Sequence, residues 1–141
     1  MRVLLSICAC ALLVMAGCKK ESAAEAGAAP AADGAAASSV LDLDDTTFAA
    51  ATAQGVVLVD FWAPWCPPCR AQGPIIDAVA KQLGDTAKVA KVNVDKAKTT
   101  AQTFGVRSIP TLVVLKDGKT VKSFTGLTQA DALVAAVKEA P

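Results

Sequence analysis

One segment constrains the fold of this chain more than any other: VVLVDFW at residues 56–62, followed at once by APWCPPC. Apart from the acid Asp60, the run is apolar and largely β-branched, which is typical of a strand buried on both faces of a sheet. After it come two cysteines, Cys66 and Cys69, and then apolar residues at helical spacing as far as Gly84. The segment therefore predicts a cysteine pair at a strand-to-helix turn.

Residues on either side of this segment alternate between strand and helix periodicity. The predicted elements are strands at 40–43 and 88–95, helices at 44–53 and 97–105, a hairpin at 111–126 turning at Asp117-Gly118, and a final helix at 128–140 capped by Thr128. Such alternation favours one α/β domain over residues 39–141, with helices on both faces of a central sheet.

Composition excludes several classes of function. The chain has 14 Lys and Arg, 13 Asp and Glu and no histidine. A net charge of +1 gives no electrostatic attraction to nucleic acid. The absence of histidine removes the commonest zinc ligand and the usual general base. We therefore expect no metal, no cofactor and no nucleic-acid partner, and a chemistry centred on sulfur.

The N-terminal region predicts export and anchoring. Residues 1–17 combine Arg2 with an apolar run and predict a signal peptide, and the ending VMAGC resembles the lipobox of bacterial lipoproteins. Cleavage there would leave Cys18 as the lipid-bearing first residue, whereas a plain signal peptide is the alternative. Residues 18–38 are rich in alanine and interrupted by glycine and proline, which predicts a flexible tether after the lipidated cysteine.

Four segments, in this order and at these spacings, resemble the thioredoxin family. They are VVLVDFWAPWCPPCR, VAKVNVD, FGVRSIPTLVVLKDGK and FTGL, and the resemblance covers about residues 40–140. It implies a thioredoxin-like fold, with a central mixed β-sheet flanked by helices on both faces, and thiol-disulfide oxidoreductase activity. The main departure is Pro67, where thioredoxins usually carry glycine.

General chemistry supports redox activity at the cysteine pair. A thiolate attacks disulfides, and a helix N-terminus stabilises a thiolate through its dipole and free N–H groups. We expect Cys66 to attack and Cys69, one helical turn on and more buried, to resolve the mixed disulfide, so that a redox-active Cys66–Cys69 disulfide forms. A permanent structural disulfide is a poor alternative, because so small a loop removes little entropy from the unfolded chain.

The prolines between the cysteines allow two interpretations. Pro67 and Pro68 can simply start the helix, where a missing N–H costs nothing. They also remove two donors from the Cys66 thiolate, leaving chiefly the Cys69 N–H, and they stiffen the turn. The sequence leaves the net effect on reduction potential open.

The resemblance also implies supporting residues. Asp60 matches the proton acceptor of the second cysteine and Lys91 the lysine near it, and burial is expected to raise the pKa of Asp60. The alternative for Asp60 is a partly solvated strand-end acid. Pro110 matches the family's cis-proline, beside which the Ile109 backbone pairs with substrate, and Trp62 is expected to pack. The predicted substrate-binding residues are Trp65, Pro67, Pro68, Ile109, Pro110 and Gly126.

These features predict a lipid-anchored thiol-disulfide oxidoreductase on the periplasmic side of the bacterial cell envelope. We expect a monomer that reduces exported proteins with disulfides and is recharged by an inner-membrane thiol electron donor, with membrane contact through the lipid on Cys18. The alternatives are a disulfide-forming oxidase or isomerase and a redox-inert adaptor. Asp60 and Lys91 favour the reductant, because the resemblance places them in the reducing branch.

Overall fold

The computed structural model describes residues 39–140, so the predicted signal peptide (1–17), the lipid site at Cys18 and the tether (18–38) lie outside the described residues. The strands are β1 (Leu41–Leu43), β2 (Val56–Trp62), β3 (Lys88–Asn93), β4 (Thr111–Lys116) and β5 (Lys119–Thr125). The helices are α1 (Phe48–Thr52), α2 (Pro67–Leu83), α3 (Lys98–Thr103) and α4 (Ala130–Lys138), with a 3-10 turn at Gly84–Thr86.

The strands form one mixed sheet in the order β1-β3-β2-β4-β5. The contacts between β1, β3 and β2 are parallel, and those between β2, β4 and β5 are antiparallel. The central strand β2 is buried along most of its length, with Val57, Leu58, Val59 and Phe61 at 0% exposure. The prediction of a strand covered on both faces is therefore confirmed, and this strand leads directly into the cysteine pair.

Helices cover both faces of the sheet. On one face, residues of α2 and α4 such as Ile76, Val79 and Leu133 pack against Leu58 and Leu112 of the sheet. On the other face, an aromatic cluster joins α1 to the loop after α3, with the rings of Phe48 and Phe104 5.1 Å apart and that of Phe61 5.8 Å from Phe104. Burial of these two apolar layers is the main force that fixes the sheet between its helices.

The hairpin turn follows its sequence signal. Asp117 and Gly118 have φ values of 49° and 77°, the two positive values that a two-residue hairpin turn of type I′ requires. The turn is also tied to the start of β2, because the Asp117 carboxylate accepts a hydrogen bond of 2.8 Å from the Gly55 N–H. The predicted hairpin is confirmed.

The first helix begins later than predicted, at Phe48 instead of residue 44. The Asp44 carboxylate accepts hydrogen bonds from the N–H and hydroxyl groups of Thr46 and Thr47 at 2.7–2.9 Å, and the Phe48 N–H donates to the Asp44 carbonyl at 3.0 Å. An aspartate that accepts from the N–H groups two and three residues on caps the turn that leads into a helix. The neighbouring Asp45 instead accepts bonds from the N–H groups of Thr99 and Thr100 in the first turn of α3.

The predicted cap of the last helix is wrong. The residue that precedes α4 is Gln129, and it makes no side-chain capping bond. Thr128 lies one residue earlier, and its hydroxyl donates to the Gly126 carbonyl at 3.1 Å. Thr128 therefore holds the loop after β5.

Candidate active site

The cysteine pair lies where β2 passes into α2. Cys66 precedes the helix with extended backbone, and Pro67 and Pro68 occupy its first two positions. Cys66 and Cys69 form a disulfide with a Cα–Cα distance of 5.3 Å. The Cys66 sulfur accepts a hydrogen bond of 3.2 Å from the Cys69 N–H. The prolines thus start the helix and also leave the Cys69 N–H as the donor that reaches this sulfur, so both interpretations of the Pro-Pro pair fit.

The two cysteines are equally buried, at 3% exposure each. The expected contrast, with Cys69 more buried than Cys66, is absent from this oxidised state, because the disulfide draws both sulfurs into one apolar cluster. Their apolar neighbours in that cluster are Trp62, Ala63, Val94 and Ile109.

A second segment meets the disulfide from the opposite side. The Ile109–Pro110 bond is cis, and the Ile109 carbonyl oxygen lies 3.7 Å from the Cys66 sulfur. The Pro110 carbonyl accepts a bond of 2.8 Å from the Gly126 N–H. Gly126 has φ +90° and open space where a side chain would begin. The structure therefore brings Ile109, Pro110 and Gly126 together beside Cys66.

An exposed tryptophan forms the rim of the site. Trp65 is 65% exposed, and its indole N–H donates to the Asp95 carboxylate at 2.9 Å. An open groove of about 370 Å³ begins at this indole; its lining residues are Trp65, Val94, Val106, Arg107, Ser108 and Ile109. Sequence reasoning missed Asp95, although its position just after β3 was a signal, because the C-terminal ends of parallel strands meet at one edge of a sheet.

Asp60 lies in β2, within the buried sheet, at 1% exposure. Its Oδ1 atom has no hydrogen-bond partner among the described residues. Burial raises the pKa of this carboxyl from 3.8 to about 7, and the positive charge of Lys91 offsets part of the rise. The predicted pKa rise has this physical cause, and the alternative of a partly solvated acid does not fit the burial.

Lys91 is the register neighbour of Asp60 across the β2–β3 pair. Its ammonium group, however, lies 3.5 Å from the Asp77 carboxylate of α2, an ion pair that the sequence did not suggest. Lys91 therefore acts on Asp60 as a nearby positive charge, while its ammonium group pairs with Asp77 of α2. A second open groove, of about 580 Å³, exposes this pair; its lining residues are Val40, Asp42, Trp62, Asp77, Lys81 and Lys91.

Sequence reasoning also missed Gln72. This side chain is fully buried, and its amide makes two hydrogen bonds to the backbone of Thr128. The available signal was a polar residue within the buried stripe of α2, one helical turn after Cys69.

The arrangement can carry out thiol-disulfide exchange. A reduced pair at these positions can pass two electrons to another disulfide and return to the Cys66–Cys69 bond observed here. Within residues 39–140, no group of three or more His, Cys, Asp or Glu side chains is placed to hold a metal ion. The same described residues contain no helix with the length and apolar character needed to cross a membrane.

Known proteins share this fold and sequence. The thioredoxin family model matches residues 39–139. Thioredoxin of Bacillus subtilis is 45% identical over 94 residues, which are 67% of this chain and 90% of that protein. Thioredoxin of Listeria monocytogenes is 42% identical, over 62% of this chain and 84% of that protein. The structure of a mutant thioredoxin from Halobacterium salinarum superposes with a TM-score of 0.68 at 37% identity, covering 74% of this chain and 92% of that one. With a disulfide at the strand-to-helix turn and these relatives, the chain belongs to the thioredoxin family and is a disulfide oxidoreductase.

Proposed function

We propose that this oxidoreductase is a lipid-anchored reductase on the periplasmic side of the bacterial cell envelope, where it reduces disulfides of exported proteins. The observation that supports the reducing direction is Asp60, which matches an acid of the family's reducing branch and is a buried carboxyl with an unpaired oxygen in the strand that leads to the cysteines. With a pKa of about 7, it accepts a proton near neutral pH, as the resolving step of a reductase requires.

The proposed reaction has two steps. The Cys66 thiolate attacks a substrate disulfide, so that a Cys66–substrate bond forms and the other substrate sulfur leaves as a thiolate that takes up a proton. Cys69 then gives its proton to Asp60, and its sulfur attacks Cys66. The Cys66–Cys69 disulfide forms, and the second substrate sulfur leaves. Two electrons have passed to the substrate, and an inner-membrane thiol electron donor restores the dithiol.

Substrate contacts are proposed for six residues around the disulfide. Trp65, Pro67 and Pro68 are exposed, Ile109 and Gly126 are half-buried, and Pro110 is buried. Trp65 offers an apolar surface at the rim, and the backbone of Ile109 is placed beside Cys66 to pair with an extended peptide. Pro110 and Gly126 complete that side. Pro67 and Pro68 are exposed at the helix start, where a docking protein meets them.

Lys91 is proposed to favour the ionised form of Asp60. Its positive charge lowers the pKa that burial raises, so Asp60 can release its proton again after each turnover. The ion pair with Asp77 keeps the ammonium group at the groove that opens to solvent.

The location rests on the N-terminal sequence. Cys18 follows a segment that resembles a lipoprotein signal, and the residues after it are typical of a tether. Radiolabelled palmitate should enter the full chain and not Cys18→Ala, because Cys18 is the proposed lipid site. Equal labelling of the two forms would remove the anchor from the proposal.

The direction of electron flow is tested by trapping thiols in cells that express the full chain. A reductant should be recovered mainly with Cys66 and Cys69 reduced, and the purified protein should accelerate insulin reduction. Recovery mainly as the disulfide would indicate an oxidase. A protein that does not reduce insulin at all would be an inert adaptor.

A further inference from the structure

Gln72 is a fully buried polar side chain in an otherwise apolar helix stripe. Its carbonyl oxygen accepts a bond of 2.8 Å from the Thr128 N–H, and its amide nitrogen donates a bond of 3.0 Å to the Thr128 carbonyl. The two residues are 56 positions apart in the chain. A buried amide is tolerated only when it is hydrogen-bonded, and here one side chain satisfies both backbone groups of a loop residue.

The Thr128 contact continues to the disulfide. The Thr128 hydroxyl donates to the Gly126 carbonyl, and the Gly126 N–H donates to the Pro110 carbonyl. Next along the chain, the Ile109 carbonyl lies 3.7 Å from the Cys66 sulfur. Gln72 itself lies one helical turn after Cys69 in α2. A closed series of contacts therefore runs from the helix of the cysteines, through the loop after β5, back to the cysteines.

The Gly126–Thr128 loop lies at one end of this series of contacts and is not part of the apolar core. Gly126 has φ +90° and open space beside its Cα, so its backbone is accessible next to Pro110. Gly126 adjoins the Ile109–Pro110 segment that contacts the Cys66 sulfur, so an extended polypeptide bound along that segment would reach this loop. A disulfide compound of a few atoms has no reason to contact the loop.

We propose that Gln72 is a positioning residue: it holds the Gly126–Thr128 loop in place beside Ile109–Pro110, so that a polypeptide disulfide binds to a preformed surface. Loss of the Gln72 amide lets the loop move, which weakens the binding of peptide disulfides and leaves the chemistry of the cysteines unchanged. This inference rests on the proposed reduction of protein disulfides.

The test compares Gln72→Met with Gln82→Met, the same substitution at an exposed position of the same helix. With a fluorogenic disulfide-linked peptide, Gln72→Met should raise KM by about tenfold, as expected when hydrogen bonds that fix a binding surface are lost, with kcat within about twofold of wild type. The rate with a disulfide of few atoms, bis(2-hydroxyethyl) disulfide, should stay within about twofold. Equal losses on both substrates, or a fall in kcat alone, would overturn the proposal.

A milder variant covers the case in which Gln72→Met does not fold. Thr128→Ala keeps both backbone bonds to Gln72 and removes only the hydroxyl bond to Gly126. It should raise the peptide KM by about twofold to threefold, because one neutral hydrogen bond is lost, while Thr120→Ala on the exposed face of β5 should not. Unchanged KM in Thr128→Ala would contradict the coupling of this loop to substrate.

Hydrogen exchange separates this inference from the proposed function. If wild type fails to reduce the peptide, the proposed substrate class is wrong, but the coupling is still measurable on the oxidised protein. The Gly126 and Thr128 amides should exchange faster in Gln72→Met than in Gln82→Met. Unchanged exchange at Gly126 would show that Gln72 does not position the loop.

Discussion

Two regions of this domain use aspartate in opposite ways. At the turn before α1, the exposed Asp44 and Asp45 carboxylates accept several hydrogen bonds from threonines, and these bonds lower the pKa of both groups. In β2, Asp60 is buried with an unpaired oxygen, and burial raises its pKa to about 7. Hydrogen bonding stabilises the charged form of a carboxyl, whereas desolvation favours the protonated form.

The largest effect is expected from substitution of the two cysteines, which follow the strand that contains Asp60. Cys69→Ser should lower insulin reduction to the background rate and accumulate mixed disulfides through Cys66, because the resolving attack is lost. Cys66→Ser should be equally inactive but accumulate none. Gel analysis after acid quenching measures the trapped species, and equal trapping by the two variants would contradict the assigned roles of attacking and resolving thiol.

Asp60→Asn should make the oxidised domain more stable at pH 8. Between about pH 4 and pH 7 the unfolded chain is ionised at this position while the folded protein keeps the proton, so wild-type stability falls as pH rises through that window. A rise of roughly three pKa units corresponds to about 4 kcal/mol at most, and a gain of about 2–4 kcal/mol is expected from the asparagine. At pH 4 the two proteins should be alike. Urea denaturation at both pH values measures the difference.

The same substitution should slow catalysis. Without a proton acceptor, Cys69 attacks more slowly, and insulin reduction at pH 7 should fall by about tenfold or more. The matched control is Asp131→Asn, which removes an exposed carboxylate at the start of α4. A stable and fully active Asp60→Asn protein would leave the buried carboxyl without a catalytic role.

The smallest effect is expected at the turn before α1. Asp45→Asn loses hydrogen bonds made to a charged oxygen by the Thr100 hydroxyl and N–H. The depressed pKa of Asp45 contributes stability above pH 3.8, which is lost as pH falls through the folded-state pKa. The variant should therefore unfold at lower urea than wild type at pH 7, and the difference should shrink in acid. A difference that persists unchanged in acid would mean that the charge of Asp45 is not its cause.

Sequence patterns predicted the elements that depend on neighbours in the chain. The β-branched run of β2, the prolines that open α2 and the Asp117-Gly118 turn each specify their local backbone, and all three are observed. Periodicity placed the start of α1 at residue 44, whereas in the structure Asp44 caps a turn that leads to the helix at Phe48. The resemblance supplied the site residues: the fold brings Ile109, Pro110 and Gly126 beside Cys66, whereas Asp60 and Lys91 are neighbours within β2 and β3.

Residue types and their spacing were enough to predict redox chemistry: two cysteines at a helix start, an acid in the apolar strand before them and no histidine. The contacts that hold that acid and the surrounding loops depend on the folded arrangement of distant segments. Three polar contacts join separate elements: the ion pair of Lys91 with Asp77, the hydrogen bond of Trp65 to Asp95 and the hydrogen bonds of Gln72 to Thr128. Hydrophobic burial fixes which elements face each other, and polar partners are selected only when that packing exists.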